Sequence, residues 1–154
     1  MEEAIRSSKE EMKRVDHLIF VSLKYTRTCD IFKSIIERLI NAIDFSLMAL
    51  LKKLEQEQKI VEIPAQPLLK TELVKEHYDD DTVKKLIDFY LLLRRINKEK
   101  FTRAREFRRH VTMTVQLAEG PFDVNIDLVT EYYKDTKEMF GKIYPIVIGE
   151  PEEN

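Results

Sequence analysis

The sequence is short of residues that break or cross-link a chain: its 154 residues contain one Cys, three Gly, five Pro and no Trp. A single thiol, Cys29, forms no internal disulfide, so the fold must rest on its own core and a reducing, cytoplasmic setting is expected. So few glycines and prolines argue against a many-turned all-β design and leave long helices as the main building element. Long apolar runs are missing too. LIFVSL and LMALL are the longest, far short of a bilayer span, and the second is approached through Asp44. No membrane insertion is expected, and the opening residues MEEAIRSSKEEMKRV lack the apolar centre of a secretory signal. Neither a cysteine pair, an HExxH, an EF-hand spacing nor a glycine-rich phosphate loop occurs, so no metal and no cofactor is expected.

What is present is enough for a core. Apolar residues make up 44% and charged residues 35%, which excludes a disordered chain and fits one domain over residues 1–154. Apolar residues recur at helical spacing from Glu3 to Thr26, at Ile5, Met12, Val15, Ile19 and Tyr25, with Ser22 in the same phase. Thr26 to Asp30 reads as a corner, with Asp30 as the cap of a second helix from Ile31 to about Gln58. Its apolar stripe, from Ile35 to Leu54, is too wide for one-sided packing and predicts a central helix. Phe45 and Met48 on its polar side imply a further contact, with another helix of this chain or with a second copy.

Ile60 to Leu69, with Pro64 and Pro67, reads as an extended crossover, followed by a short helix from Glu72 to His77. Asp79, Asp80 and Asp81 beside His77 offer metal-ligand atom types, but capping of the helix that follows is the simpler use. That helix carries Leu86, Phe89, Tyr90, Leu93 and Ile96 and breaks near Asn97 to Lys100, beyond which the same apolar phase continues. Val111 to Leu117 and Phe122 to Leu128 alternate apolar with polar around Ala-Glu-Gly-Pro, which predicts a β-hairpin near residues 111–127. A last helix from Asp127 or Leu128 to about Tyr144 should stop at Pro145. Ile146 to Ile148 could then add an edge strand before an acidic, mobile tail over 149–154. The fold expected is all-α in the main: an antiparallel four- to five-helix up-down bundle with a small hairpin.

Charge singles out one stretch. Arg94 to His110 holds eight Lys/Arg against two Glu, so removing its +6 from a chain of net −2 leaves the remainder near −8. On a continuous helix, Arg94, Arg95, Lys98, Arg105, Arg108 and Arg109 would share an arc of roughly 140°, able to neutralise phosphates. Arg103 belongs to the same basic set, and Phe101 and Phe107 could stack on bases if they stay out of the core. The ordinary alternative is a solvated face, with Glu99 and Arg103, and Glu106 and Arg109, at ion-pair spacing. An acidic protein partner would suit the same charge.

The order of helices followed by Arg-Glu-Phe-Arg-Arg-His resembles the HEPN domain family, over roughly Met12 to Phe140. Members often carry an Arg and a His separated by four to six residues. Arg105 and His110 match with four between, Arg103 and His110 with six, and the residue after Arg105 is Glu106 where the family usually has Asn, Asp or His. The resemblance implies a helical domain that binds nucleotide or RNA, or a metal-independent ribonuclease whose cleft forms between two protomers of a homodimer. Arg105 and His110 would then be catalytic. Histidine exchanges protons near neutral pH and suits acid or base work at a 2′-hydroxyl, while arginine stabilises phosphate charge without deprotonating. The plainer role for His110 is to cap a helix end or fill a junction. The alternative for the whole chain is a non-enzymatic helical oligomer acting as a protein-interaction module.

Overall fold

Glu2 to Tyr25 form one rod. Helix α1 (Glu2–His17) passes through a widened π turn (Leu18–Ser22) into a last α turn (Leu23–Tyr25) of the computed structural model, which describes residues 1–149. Glu2 and Glu3 lie in the first turn, where carboxylates complement the helix dipole. Ala4, Ile5, Ser8, Met12 and Val15 face inward at helical spacing. The π turn shifts that phase. Tyr25, expected in the core, is consequently 79% exposed, and Phe20 and Val21 are exposed as well.

Helix α2 (Cys29–Gln56) is the central element, as its wide stripe predicts: it packs against every other helix and against the sheet. Phe32, Ile35, Ile36, Leu39, Ile43 and Leu47 are buried along it, each contributing about 1.5–3 kcal/mol by leaving water. It begins two residues earlier than expected. Thr28, not Asp30, is the capping position, and Asp30 sits in the first turn, where Arg103 engages its carboxylate. Phe45 on its outer side remains 37% exposed, while Met48 packs partly on the core.

After the irregular crossover, helix α3 (Pro67–His77) starts five residues before the Glu72 expected, because Pro67 occupies a first-turn position where a missing N–H costs nothing. Helix α4 (Asp81–Lys98) is capped as anticipated, with Val83 N–H donating to Asp80 Oδ1 at 3.0 Å, while Asp79 pairs with Lys84. The buried Tyr90 hydroxyl of α4 donates to Asp44 on α2. The helix ends where its pattern weakens, and a long-range contact fixes the stop. Lys33 Nζ donates at 2.7 Å to both the carbonyl and the side-chain oxygen of Asn97, placing a cation on the helix C-terminus.

The chain then forms a strand, not a second helical segment. Strand β1 (Phe101–Ala104) pairs antiparallel with β2 (Thr112–Leu117), Phe101 opposite Val115 and Ala104 opposite Thr112. Strand β2 pairs with β3 (Gly120–Val124) to complete the expected hairpin, so the sheet has three strands. Met113, Val115 and Leu117 are buried and Gln116 is exposed, as strict alternation requires. The 101–104 segment follows this edge because Phe101 can cover the core beside Val115, which a helical continuation would not allow. The continuous basic arc therefore does not exist.

Helix α5 (Ile126–Ile148) begins with Asn125 accepting the Leu128 N–H at 2.8 Å. It continues through Pro145, so neither the stop nor the 146–148 edge strand occurs. Proline costs about 3 kcal/mol inside a helix. Here burial of Ile143 and Val147, together with Lys53 Nζ donating to the Ile146 carbonyl at 2.6 Å, offsets it. The class is thus mainly α with a small antiparallel sheet. Among the described residues, no helix is long and apolar enough to cross a membrane. The acidic tail beyond Gly149, expected to be mobile, lies outside the described residues.

Candidate functional site

Two connections far apart in sequence are stitched together at one end of α2. The corner Thr26-Arg27-Thr28 leaves the first N–H groups of a 28-residue helix without helical partners. Thr28 makes no side-chain cap, and the vacancy is filled from 77 residues away: Cys29 N–H donates to Glu106 Oε2 at 3.0 Å. Phe107 N–H donates to the Arg27 carbonyl at 2.6 Å. Arg103 ties the junction further, 2.9 Å from Asp30 and 3.4 Å from Glu106, with its guanidinium over the Phe101 ring. Arg103 and Glu106 therefore pair with each other and with the corner, not in the Glu99–Arg103 and Glu106–Arg109 combinations that helical spacing suggested.

Glu106 is the residue on which this junction depends. Glu106→Ala should destabilise the protein by about 1–2 kcal/mol, since a helix cap and a charge near the helix N-terminus are lost together. Glu106→Gln, whose amide oxygen can still accept from Cys29, should recover most of that loss. Urea denaturation of the three proteins measures both; equal midpoints for Ala and wild type would show that the contact carries no stability.

The loop from Arg105 to His110 pays for this docking in backbone strain. Arg105 and Phe107 have φ of 55° and 67°, the left-handed region that side-chain-bearing residues avoid. Arg108 N–H and Val111 N–H close turns onto the Arg105 and Arg108 carbonyls, and buried Val111 anchors the loop in the core. The outcome is a cavity of about 500 Å³ lined by Arg27, Arg105, Arg109 and His110 on one side and by Asn125, Ile126 and Asp127 on the other, with Thr112 between.

Three arginines against one carboxylate, Asp127, make this cavity cationic. Among the described residues, none of the three arginines is in an ion pair. Arg27 Nε is buried with no hydrogen-bond partner. Such an atom costs roughly 1–3 kcal/mol. The far wall is the start of a 23-residue helix, where Ile126 and Asp127 N–H groups lack helical acceptors and the dipole favours an anion.

Of the residues singled out from the sequence, Arg105, His110 and Arg109 meet here. Arg108 is exposed on the same loop but does not line the cavity. Arg103 is committed to Asp30 and Glu106. Arg94 lies over the Tyr90 ring, Arg95 pairs with Glu119 in the hairpin turn, and Lys98 is exposed at the end of α4. Of the two candidate stacking rings, Phe101 is half-buried against the core and Phe107 is 75% exposed. His110 is exposed, in the loop between β1 and β2.

Arg27 and Asn125 escaped sequence reasoning, since only folding brings them to Arg105. Cys29 is buried, and burial, with the Glu106 charge second, raises its thiol pKa, which disfavours the reactive thiolate. Among the described residues, no three His, Cys, Asp or Glu side chains come together as a metal site would need. Comparison with known proteins finds no family model, no curated protein and no solved structure that matches this chain.

Proposed function

We propose that this is a HEPN-like nucleotide- or RNA-binding protein, on a frame read as an antiparallel up-down bundle, that holds a phosphate in the cavity between Arg27 and the 105–110 loop. The observation that carries the reading is the meeting of three arginines outside any ion pair at the start of a long helix. Guanidinium groups bind phosphate in paired, charge-assisted hydrogen bonds. The exposed His110 on the rim adds a group that can move a proton at a ribose 2′-hydroxyl. Arg105 beside it would stabilise charge on the phosphorus centre without a metal.

Fluorescence anisotropy with a labelled single-stranded RNA, titrated at several salt concentrations, tests the binding. Three phosphate-contacting arginines predict that log K falls with log salt at a slope of about −2. Absence of binding at low salt would remove the proposal. Gel analysis of the same samples in EDTA reads cleavage, which should disappear in His110→Ala while binding persists; cleavage unchanged in that variant removes His110 from the chemistry. The competing reading, a homo-oligomeric interaction module, draws on exposed Phe45. It predicts self-association that Phe45→Ser abolishes without touching RNA binding.

A further inference from the structure

Two of the chain's exposed aromatic rings belong to the same junction as the phosphate cavity. Tyr25, 79% exposed, stands two residues before Arg27; Phe107, 75% exposed, has its backbone N–H bonded to the Arg27 carbonyl. Neither exposure is an accident of a loose terminus. Tyr25 closes the last turn of the first rod, where the π turn has rotated it out of the core phase. Phe107 is held at φ 67°, where a bulky side chain is strained, and gains no burial in return. The bond from the Phe107 N–H to Arg27 accounts for the strained backbone, but the exposed ring itself adds no burial to the free protein.

We propose that Tyr25 and Phe107 are stacking platforms for unpaired bases of a single strand whose phosphate lies in the cavity. The inference rests on the phosphate-binding reading and adds to it: it assigns two contact residues and makes the ligand a base-bearing strand instead of a bare phosphate. Stacking on aromatic rings accepts any base, so recognition is tolerant of sequence and selective for single strands, because bases in a duplex already have both faces covered.

The test compares an RNA with an abasic strand of equal length and charge, for wild type, Tyr25→Ala, Phe107→Ala and the double variant. Circular dichroism melts should match wild type, since both rings are solvent-exposed. Wild type should prefer the base-bearing strand by about thirty-fold or more, and each substitution should weaken binding of that strand by about five-fold or more. The double variant should bind both strands alike, with the wild-type salt slope preserved. Equal wild-type affinity for the two strands, or a preference that survives in the double variant, overturns the stacking role while leaving the phosphate cavity intact. Failure of wild type to bind either strand at low salt overturns the phosphate reading itself, and the stacking inference with it.

Discussion

Arg27→Ala and Arg105→Ala should each weaken RNA binding by about ten-fold or more, and the pair by about a hundred-fold, whereas Arg94→Ala and Arg95→Ala should change it by less than about two-fold. The contrast is large because the four arginines, all cationic, have different surroundings. Arg27 and Arg105 line a cavity shared with a helix N-terminus and have no carboxylate of their own. A charge-assisted hydrogen bond there contributes about 1.5–3 kcal/mol, and several donors converge on one place. Arg95 is already paired with Glu119 on the surface, and Arg94 rests on Tyr90 beside water. Such exposed cations contribute mainly a screened, long-range attraction. Anisotropy titrations of the four single variants and the double variant decide the matter. Equal losses at all four positions would mean that RNA follows the charge of the whole stretch and not the cavity.

The same contrast shows what could be read from the sequence. Helix α2 was legible because its apolar stripe is too wide for one-sided packing, and the fold buries all but a strip through Asp30, Glu37, Asn41 and Phe45. The β2–β3 hairpin was legible from alternation. Arg94 to His110 misled because helical and extended periods coincide over short stretches: Phe101, Ala104 and Phe107 sit at helical spacing, yet 101–104 pairs with β2 and 105–110 is a loop. What stops α4 is Lys33, 64 residues away, and what shapes the loop is Glu106 reaching Cys29. Local pattern carries no trace of either contact. Arg105 and His110 could be picked out as a pair by their spacing, but their third partner, Arg27, became visible only once the Phe107 N–H had found the Arg27 carbonyl. Glu106, which looked like a departure from the resembled motif, is the group that docks the motif's own loop.

Raising the pH from 9 to about 12 should unfold the protein in one cooperative step, with ionisation of the tyrosines other than the exposed Tyr25 occurring in the same step and not ahead of it. Five of the six tyrosines have phenol pKa values above the ordinary value near 10. Burial pushes Tyr78, Tyr133 and Tyr144 up to about 12, with Glu57 adding to the first, Asp16 to the second, and the Ser8 hydrogen bond opposing it at the third. Burial and the hydrogen bond to Asp44 push Tyr90 higher still, and burial also raises Tyr132. A raised folded-state pKa means that the unfolded chain loses its proton first. The associated stability is complete below pH 10 and is lost as pH climbs through the folded values. A displacement of two pH units is worth about 2.7 kcal/mol, and halving it for the water that reaches these rings leaves on the order of 4 kcal/mol for Tyr78, Tyr133 and Tyr144 together. Tyr90 adds to that, against a total of about 5–15 kcal/mol for a typical domain. Absorbance at 295 nm of a Tyr25→Phe variant and its ellipticity at 222 nm, followed through one alkaline titration, should therefore trace a single transition. A phenolate absorbance midpoint near pH 10 with ellipticity unchanged would show that these hydroxyls are not held by the fold, and that the links they make between helices, Tyr90 to Asp44 and Tyr133 to Asp16, carry no stability.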